Sequence, residues 1–577
     1  MSAPERLGLS LGLGALFGGL ALVHPLGLLG GVLGVYLRLP FLVGFALVLL
    51  RGLLLPLPEP PPGPLEVEGV VRQGLLRAPE GVFHVKPPLE DGVYRLRGRV
   101  RPPDPPRLPG GLDERAWLLG RGVRAVLEVE RVLERTPVPD GREAFRARLR
   151  EGLSPRVARV MEALTLGDKR GLGDYAAFQE AGLAHVLALS GLHVGILAAF
   201  LVLLLFPLGP PRYLLALLGL LLYLFLAGPT PSLVRATLMA GLSLLGLFLG
   251  LGRAGLLSAL GVAFFLQVLL APWSLHSLGL QLSYLAVLGI ALLLPALPRA
   301  PGILGLVQGA FWTTLAAQAL TLPLLLHHFH LLPLLFPLAN LLALPLVALL
   351  VPLGFLKLLL GGLLALPVEG VARLLLALTH LLAQGPRLVW GEVSPAGFAL
   401  YYLGLLPLLL ALRRQLAWDR ALLLASLPAA LSLLSAWPKP VEAYRLGQDA
   451  FLFRQGQREV LFLGQREDPE EVARALRALG VGGLEVLLAE EGRERPLRRA
   501  LPVGVVVRPG REEAALRVGG MELEVTREGW TLSFAGYTAR GAPQGGPVEV
   551  AGRGGSWTLP LGIKGAASLR LLLGYDW

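Results

Sequence analysis

Residues 213–228 read YLLALLGLLLYLFLAG, and after the turn PTPSL residues 234–251 read VRATLMAGLSLLGLFLGL. A helix that crosses a bilayer needs about 20 consecutive, mostly apolar residues, so these two runs predict two membrane-spanning helices. The runs recur along the chain and predict a polytopic α-helical membrane protein. The others lie near residues 8–23, 25–37, 40–56, 191–208, 255–271, 279–296, 302–326, 331–356, 362–384, 396–411 and 419–436.

The composition of the 577 residues is that of a chain lying mostly in lipid, with 54% hydrophobic and 16% charged residues and a mean hydropathy of +0.62. The absence of Cys excludes disulfides, zinc thiolate sites and thiol nucleophiles. The formal net charge of +12 comes almost wholly from Arg, which suits bidentate contacts to phosphate. The alternative is that this charge sets the membrane topology and contacts anionic lipid.

The charged residues concentrate in two stretches, which are predicted to lie in water. Residues 1–56 are expected to hold N-terminal transmembrane helices, followed by a stiff proline-rich linker at 57–64. Residues 65–140 contain the alternating runs LEVEGVV, GVFHVK, GVYRLRGRV and GVRAVLEVERV, which predict a small antiparallel barrel or sandwich. Residues 438–577 combine strand-like runs with the helix-like EEVARALRALG, which predicts a second soluble domain.

Residues 141–190 are predicted to form amphipathic helices that lead into the main transmembrane domain, residues 191–437. The spacing from Glu143 to Leu166 is helical, and five arginines are grouped there. A basic amphipathic segment of this kind either lies along a membrane surface or faces a polyanion. The five are Arg146, Arg148, Arg150, Arg156 and Arg159.

A few polar side chains interrupt the apolar runs. Because a polar group that faces lipid without a partner is costly, such residues normally face a cavity or another helix. We therefore predict one polar path through the membrane, with a glycine that allows close helix approach. Its members are His185, Ser190, Gly191, His193, Arg235, Gln281, Ser283 and Asn340.

Arg235 is the most informative of these residues, because an intramembrane guanidinium just after Pro231 is placed to contact a passing phosphate. The alternative is a side chain that extends to the membrane interface. For His185 and His193 the alternative is structural hydrogen bonding between helices. Metal ligation is disfavoured because no other metal-ligating side chain lies near them in the apolar run. A hydrolase centred on Ser190 is also disfavoured, since there is no G-x-S-x-G elbow.

The basic residues between the apolar runs predict the orientation. If every run crosses the membrane, the loops holding these residues share one face, and the positive-inside rule makes that face cytoplasmic. Both soluble domains are then predicted to lie on the outer side. The basic residues concerned are Arg212, Arg253, Arg299, Lys357, Arg413, Arg414 and Arg420.

Residues 164–196 read LTLGDKRGLGDYAAFQEAGLAHVLALSGLHVGI. This stretch resembles the signature of the ComEC family of competence proteins, in which a GD(K/R) turn and a helix precede H-x-x-A-(I/L)-S-G-L-H. The turn corresponds to Gly167, Asp168 and Lys169. Residues 231–239, 278–290 and the region around Asn340 are similar to later motifs of that family, and residues 108–129 resemble the end of its OB-like domain.

This resemblance implies a channel in the bacterial inner membrane that passes single-stranded transforming DNA into the cytoplasm during natural competence. It also implies an external DNA receptor, a cytoplasmic helicase-like ATPase and an OB-like fold for residues 65–140. The chain has no G-x-x-x-x-G-K-(S/T) loop, so the work of transport falls to a partner or a gradient. No cofactor is expected.

The C-terminal domain resembles a metallo-β-lactamase domain in its opening stretch YRLGQDAFLFRQGQREVLFLG, but departs from it at the catalytic positions. Arg445 stands where the first Asp is usual, and no His occurs after His380. The domain is therefore predicted to be degenerate, to bind no metal and to cut no DNA. Its arginines are predicted to steer DNA by charge: Arg493, Arg495, Arg498 and Arg499.

Two other functions stay open for the whole chain. A solute transporter with broken helices around a midplane site would account for the prolines in the apolar runs, but not for an external OB-like domain. A membrane-anchored nuclease would use the C-terminal domain, but that domain lacks the imidazoles that hold two catalytic cations.

Overall fold

The structure is a computed structural model of the chain. It describes residues 9–17, 39–54, 62–72, 74–111, 113–137, 141–252, 255–436, 441–456, 458–509, 511–518, 520–534, 537–542, 548–552, 555–559 and 570–571. The chain divides into two compact units. The first comprises residues Met1–Pro103, Glu114–Thr321 and Pro333–Pro386, and the second comprises Asp104–Asp113, Leu322–Leu332 and Arg387–Trp577.

A closed five-stranded barrel follows the N-terminal helices in the first unit. Alternating side chains fill its interior, as in the strand Gly92–Arg101, where every second residue is buried. Of the predicted barrel or sandwich, the barrel is present, and it begins two residues earlier than the sequence indicates. It is not wholly antiparallel, because its third and fifth strands pair in parallel. Its strands are Gly63–Arg72, Leu75–Ala78, Gly81–Lys86, Gly92–Arg101 and Ala125–Thr136, and the order around the barrel is first, second, third, fifth, fourth.

Apolar helices occupy each of the ten predicted runs after residue 190. Several are long and apolar enough to cross a membrane, and the protein is a multi-pass membrane protein. The helices are Gly191–Leu204, Pro211–Ala227, Pro231–Phe248, Leu256–Leu270, Leu278–Leu293, Gly302–Phe329, Phe336–Leu360, Ala365–Ala383, Pro395–Leu412 and Trp418–Ala436. Of the three N-terminal runs, helix is described at residues 9–17 and Leu39–Leu54, and the run at 25–37 lies outside the described residues.

The spacing of residues from Glu143 to Leu166 is helical throughout. The structure nevertheless has two helices there. The segment divides into Glu143–Arg150 and Pro155–Leu166, because Gly152 adopts a left-handed backbone and Pro155 starts a new helix. Helix Pro155–Leu166 is almost entirely buried, and it packs in one core with Phe336–Leu360 and Ala365–Ala383. It is therefore part of the bundle rather than a helix on a membrane surface.

The orientation argument assumes that Lys357 lies in a loop, but the structure does not place it in one. It lies buried in the last turn of Phe336–Leu360, where its Nζ donates to the carbonyl oxygens of Glu151 at 2.6 Å and Gly361 at 3.1 Å. Lys357 therefore lies in a helix and not in one of the loops that the orientation argument counts.

The second unit contains the last two membrane helices and an α/β domain. Two six-stranded sheets pack face to face through a core that includes Phe453, Val486 and Trp530. The first sheet contains the strands Val503–Val507, Leu484–Ala489, Arg458–Leu463, Ala450–Gln455, Val441–Leu446 and Arg570–Leu571. The second is a meander of Ala514–Val518, Met521–Val525, Trp530–Phe534, Tyr537–Gly541, Val548–Gly552 and Gly555–Leu559. Helices Pro469–Ala478 and Glu494–Ala500 cover the outer face of the first sheet.

Candidate functional site

The signature turn is a structural device that fixes the segment before Ser190. Gly167 ends helix Pro155–Leu166 with φ 72°, and a side chain there would collide with Leu189. Asp168 accepts hydrogen bonds from the backbone and side chain of Arg170 and pairs with Arg146 at 3.0 Å. Burial opposes ionisation, but these contacts outweigh it and lower the pKa of Asp168 to about 2.

Lys169, the third residue of the turn, does not reach the membrane path. Its ammonium lies 5.5 Å from the ring centre of Tyr175. Burial lowers the pKa of this amine. The turn therefore positions its neighbours and offers no free group of its own.

Ser190 and His193 form a capping box at the start of helix Gly191–Leu204. Ser190 Oγ accepts from the Leu192 amide at 3.3 Å, and His193 Nδ1 accepts from the Ser190 amide at 3.3 Å. Because Nδ1 acts as an acceptor, the proton of the neutral imidazole is assigned to Nε2. His193 is fully buried, and its Nε2 has no hydrogen-bond partner within the described residues.

Arg235 lies against the same helix start. Its Nη2 is 3.0 Å from where a Cβ on Gly191 would stand, so the glycine allows the guanidinium to approach the helix backbone. Arg235 is only 5% exposed, and it makes no ion pair or hydrogen bond through its side chain within the described residues. The structure thus brings Gly191 and Arg235 together, as the sequence predicts.

Two residues that the sequence analysis overlooked hold this arrangement. The Tyr284 ring centre lies 5.8 Å from the Arg235 guanidinium, and the Tyr284 hydroxyl donates to Gln267 Oε1 at 2.9 Å. Gln267 Nε2 donates to the Pro231 carbonyl at 3.2 Å, which ties three helices together. Gln267 is the only amide side chain in the apolar helix Leu256–Leu270, and a polar residue in such a run was the signal that could have identified it.

His185 belongs to the same neighbourhood. Its ring is close enough to His193 for the two to interact electrostatically, and its Nδ1 donates to the Gly182 carbonyl at 3.1 Å. The His185 side chain is exposed. Its Nε2 is free to accept a hydrogen bond.

The structure does not bring the other predicted path residues to this point. Gln281 donates to the Leu275 carbonyl at 2.8 Å and so ties its helix to the preceding turn. Ser283 makes no side-chain hydrogen bond within the described residues. Asn340 is buried in helix Phe336–Leu360, and its Oδ1 is unpaired there. Within the described residues no hydrogen bond or ion pair joins any of these three to Arg235.

Comparison with known proteins identifies the family of this helical region. The competence-protein family model matches residues 164–415, which include the turn, the capping box and Arg235. The resemblance of this membrane domain to ComEC-type competence proteins is therefore confirmed. ComE operon protein 3 of Bacillus subtilis (strain 168) is 31% identical over 255 residues, and the match covers 42% of this chain and 32% of that protein. No solved structure matches the chain.

A second relative of the ComEC-type domain is Competence protein ComA of Neisseria gonorrhoeae. It is 31% identical over 292 residues, with 44% of this chain and 39% of that protein covered. The chain therefore spans between a third and two fifths of the length of these two curated relatives. The residues that the family model matches, 164–415, do not include the C-terminal α/β domain.

The five arginines that precede the competence domain are all paired with carboxylates. Arg150 and Arg159 reach opposite oxygens of the buried Glu162, at 2.5 and 2.9 Å. Arg156 forms a hydrogen-bonded ion pair with Asp174, and this contact lowers the pKa of the Asp174 carboxyl. The remaining pairs are Arg146 with Glu143 and Asp168, and Arg148 with Glu151. Their charge is largely offset, so they are poor candidates for steering DNA.

The C-terminal arginines divide into two classes. The side chain of Arg493 donates a hydrogen bond to the Glu467 carbonyl oxygen. The others lie exposed on or beside helix Glu494–Ala500 and form no ion pair within the described residues: Arg495, Arg498 and Arg499. These three retain a free charge that is available for the predicted steering.

The acidic residues of the α/β domain are scattered in local contacts. Asp449 is buried and accepts from the Arg466 amide at 2.9 Å, while Glu467 accepts from the Gln448 amide at 2.5 Å. Burial raises the pKa of Glu467, and it raises that of Glu459 to about 7. In the described part of the chain no three His, Asp or Glu side chains converge in a way that would hold a metal ion.

Proposed function

We propose that this protein is an inner-membrane channel that passes single-stranded DNA into the cytoplasm during natural transformation. The observation that carries the proposal is the cluster formed by His185, Ser190, Gly191, His193 and Arg235 inside a domain of competence-protein type. A DNA strand is a polyanion, and a cationic group held inside a membrane without a carboxylate partner is suited to its passage.

The proposed orientation places the barrel outside the cytoplasm. Gly228, after the second helix of the domain, lies close to Arg142, and Trp273, after the fourth, packs against Gly122 at the barrel. Both loops therefore share the barrel's side, as expected if the first four helices of the domain cross in turn. The barrel contributes balanced charge to this side, since Arg95 pairs with Glu66 at 2.8 Å.

We propose further that the helix pair Phe336–Leu360 and Ala365–Ala383 does not cross the membrane. The segment before Ser190, which has no run long enough to cross, contacts this pair along its length. The contacts are Lys357 with Glu151, Ser154 with Glu369, Asp174 with His380, and Gly182 with Phe336. If these two helices do not cross, the number of crossings after residue 190 falls by two and stays even. The C-terminal domain is then still expected on the outer side.

A reporter fused after Gly362 tests this placement. A periplasmic reporter such as alkaline phosphatase is expected to be active there and again after Gly464, while a cytoplasmic reporter is inactive at both. Activity of the cytoplasmic reporter after Gly362 would mean that the helix pair spans the bilayer. The same result after Gly464 would place the C-terminal domain inside.

We propose a supporting role for the soluble domains and an external source of energy. An OB-like barrel would guide the strand, and the C-terminal domain would act as a scaffold without metal or nuclease activity. A helicase-like ATPase would pull the strand from the cytoplasm, after a receptor delivers DNA outside. Elemental analysis of the purified full chain is expected to find no stoichiometric Zn or Mn, and metal-dependent cleavage of labelled DNA that EDTA stops would restore the nuclease hypothesis.

Deletion of the gene in its host tests the proposed function as a whole. Labelled double-stranded DNA should still bind at the cell surface, but no label should appear as a single strand protected in the cytoplasm. Complementation with the full chain should restore the protected label. If the deletion strain internalises DNA normally, the channel proposal fails.

A further inference from the structure

The membrane domain is free of acidic residues over a long stretch that surrounds Arg235. The sequence contains neither Asp nor Glu between Glu180 and Glu369. The same stretch includes Arg212, Arg235 and Lys357. No residue of the stretch can therefore neutralise a guanidinium by forming an ion pair with it.

Arg212 and Lys357 have other acceptors, but Arg235 does not. Arg212 donates to the Phe206 carbonyl and to the Tyr213 hydroxyl at 2.9 Å. Lys357 donates to two carbonyl oxygens, as described above. Within the described residues the guanidinium of Arg235 has no hydrogen-bond acceptor and faces the ring of Tyr284, a contact that is weaker than a charge-assisted hydrogen bond.

Arg235 also lies at the positive end of a helix dipole. Its Nη2 stands beside Gly191, the first residue of the 14-residue helix Gly191–Leu204. The aligned peptide groups of a helix give its N-terminus a partial positive charge, so a second positive charge there is unfavourable unless an anion is present. The unpaired Nε2–H of His193 adds a third donor at the same helix start.

We propose that Arg235, His193 and the start of helix Gly191–Leu204 form a binding site for a phosphate oxyanion. The guanidinium offers the planar donor pair that matches two oxygens of one phosphate. Tyr284 and Gln267 hold the guanidinium toward the helix start, and Gly191 leaves room for it. That the phosphate belongs to a DNA backbone rests on the proposed function, whereas the anion site itself rests on these contacts.

The test uses the full chain in nanodiscs of uncharged lipid and measures binding by calorimetry. The probes are inorganic phosphate, oligothymidylate, and the methylphosphonate oligomer of the same length, which has the same bases but no backbone charge. The unmodified oligomer is expected to bind at least about tenfold more tightly than the uncharged one, because each charge-assisted contact is lost in the latter.

Variants test whether the difference in affinity between the unmodified and the uncharged oligomer arises at this site. Arg235→Gln should remove this difference, and Arg235→Lys should retain only part of it, because an ammonium lacks the planar fork. Gly191→Ala keeps every charge but sets a Cβ 3.0 Å from Nη2, so it should weaken oligomer binding by displacing the guanidinium. Arg212→Gln removes the same charge at a paired arginine and should leave the difference intact. Circular dichroism and gel filtration verify that each variant is folded.

The outcomes separate the site from the channel function. Phosphate binding that depends on Arg235, without binding of the oligomer, would keep the anion site and overturn the DNA assignment. Equal binding of phosphate and of both oligomers by the wild-type chain and Arg235→Gln would overturn the site, whatever the result of the gene deletion.

Discussion

Two groups of arginines in the membrane domain differ in what surrounds them. The arginines of residues 146–159 are each within 3.2 Å of a carboxylate oxygen, and Glu162, which holds two of them, is completely buried. Arg235 is buried as well, yet among the described residues its guanidinium lies against an aromatic ring and a helix start and forms no ion pair. The charge of the first group is offset by paired carboxylates, and the charge of Arg235 is not.

This difference separates two roles that look alike in the sequence. Clustered arginines suggest a surface for DNA, but a cluster whose acids lie one turn away or across a short loop neutralises itself. A single arginine in an apolar run looks like a tolerated exception, but without an acid within reach it retains its full charge. The isolated residue is therefore the better candidate for contact with a polyanion.

The largest effect is expected when Arg235 is given a carboxylate of its own. Met239 lies one turn further along the same helix, so Met239→Glu would place an acid at the i+4 position. DNA import should fall by roughly tenfold or more, since an ion pair competes with phosphate for the guanidinium. Met239→Gln is the control, and equal loss in both variants would attribute the effect to packing. Transformation frequency normalised to protein level provides the measurement.

A smaller effect, on stability rather than transport, is expected at the paired group. Glu162→Gln removes the charge that Arg150 and Arg159 share, and it should lower the free energy of unfolding by about 2 kcal/mol, the usual cost of losing hydrogen bonds to a charged group. Thermal unfolding in detergent would measure this loss. At permissive temperature, transport by the folded fraction should remain normal, and a specific transport defect would mean that these arginines do contact DNA.

The same network should make stability depend on acid. Asp168 has its pKa lowered to about 2 from 3.8 in the folded state, so its contribution is complete above pH 4 and is lost as the pH falls toward 2. Asp168→Asn should flatten this part of the profile of melting temperature against pH. A variant that keeps the wild-type slope between pH 4 and 2 would assign the acid sensitivity to other carboxyls.

The sequence was sufficient to predict the barrel, each apolar helix after residue 190 and the nearness of Gly191 to Arg235. These features follow from local patterns: strand alternation, long apolar runs and a motif that is continuous in the chain. The pairing of Arg150 with Glu162 was not foreseen, because it requires the chain to turn at Gly152 so that two short helices pack side by side. Gln267 and Tyr284 were missed because their hydrogen bond joins separate helices.

The smallest effect is expected at the exposed arginines of the C-terminal domain. Replacing Arg495, Arg498 and Arg499 together with Ser should slow DNA uptake by about two- to threefold at low ionic strength and have no effect at high salt, because exposed charges act at long range through a screened field. Initial rates of uptake at two salt concentrations would measure it. A defect that persists at high salt would indicate direct contact.

The most direct test of the central claim compares Arg235→Gln with Arg212→Gln in transforming cells given end-labelled DNA. Both variants lose one positive charge from the membrane domain, but only Arg235 lacks an acceptor within the described residues. The account predicts normal surface binding in both, normal internalised single strand in Arg212→Gln, and almost none in Arg235→Gln. Equal internalised label in Arg235→Gln and wild type, at equal membrane levels of the protein, would contradict it.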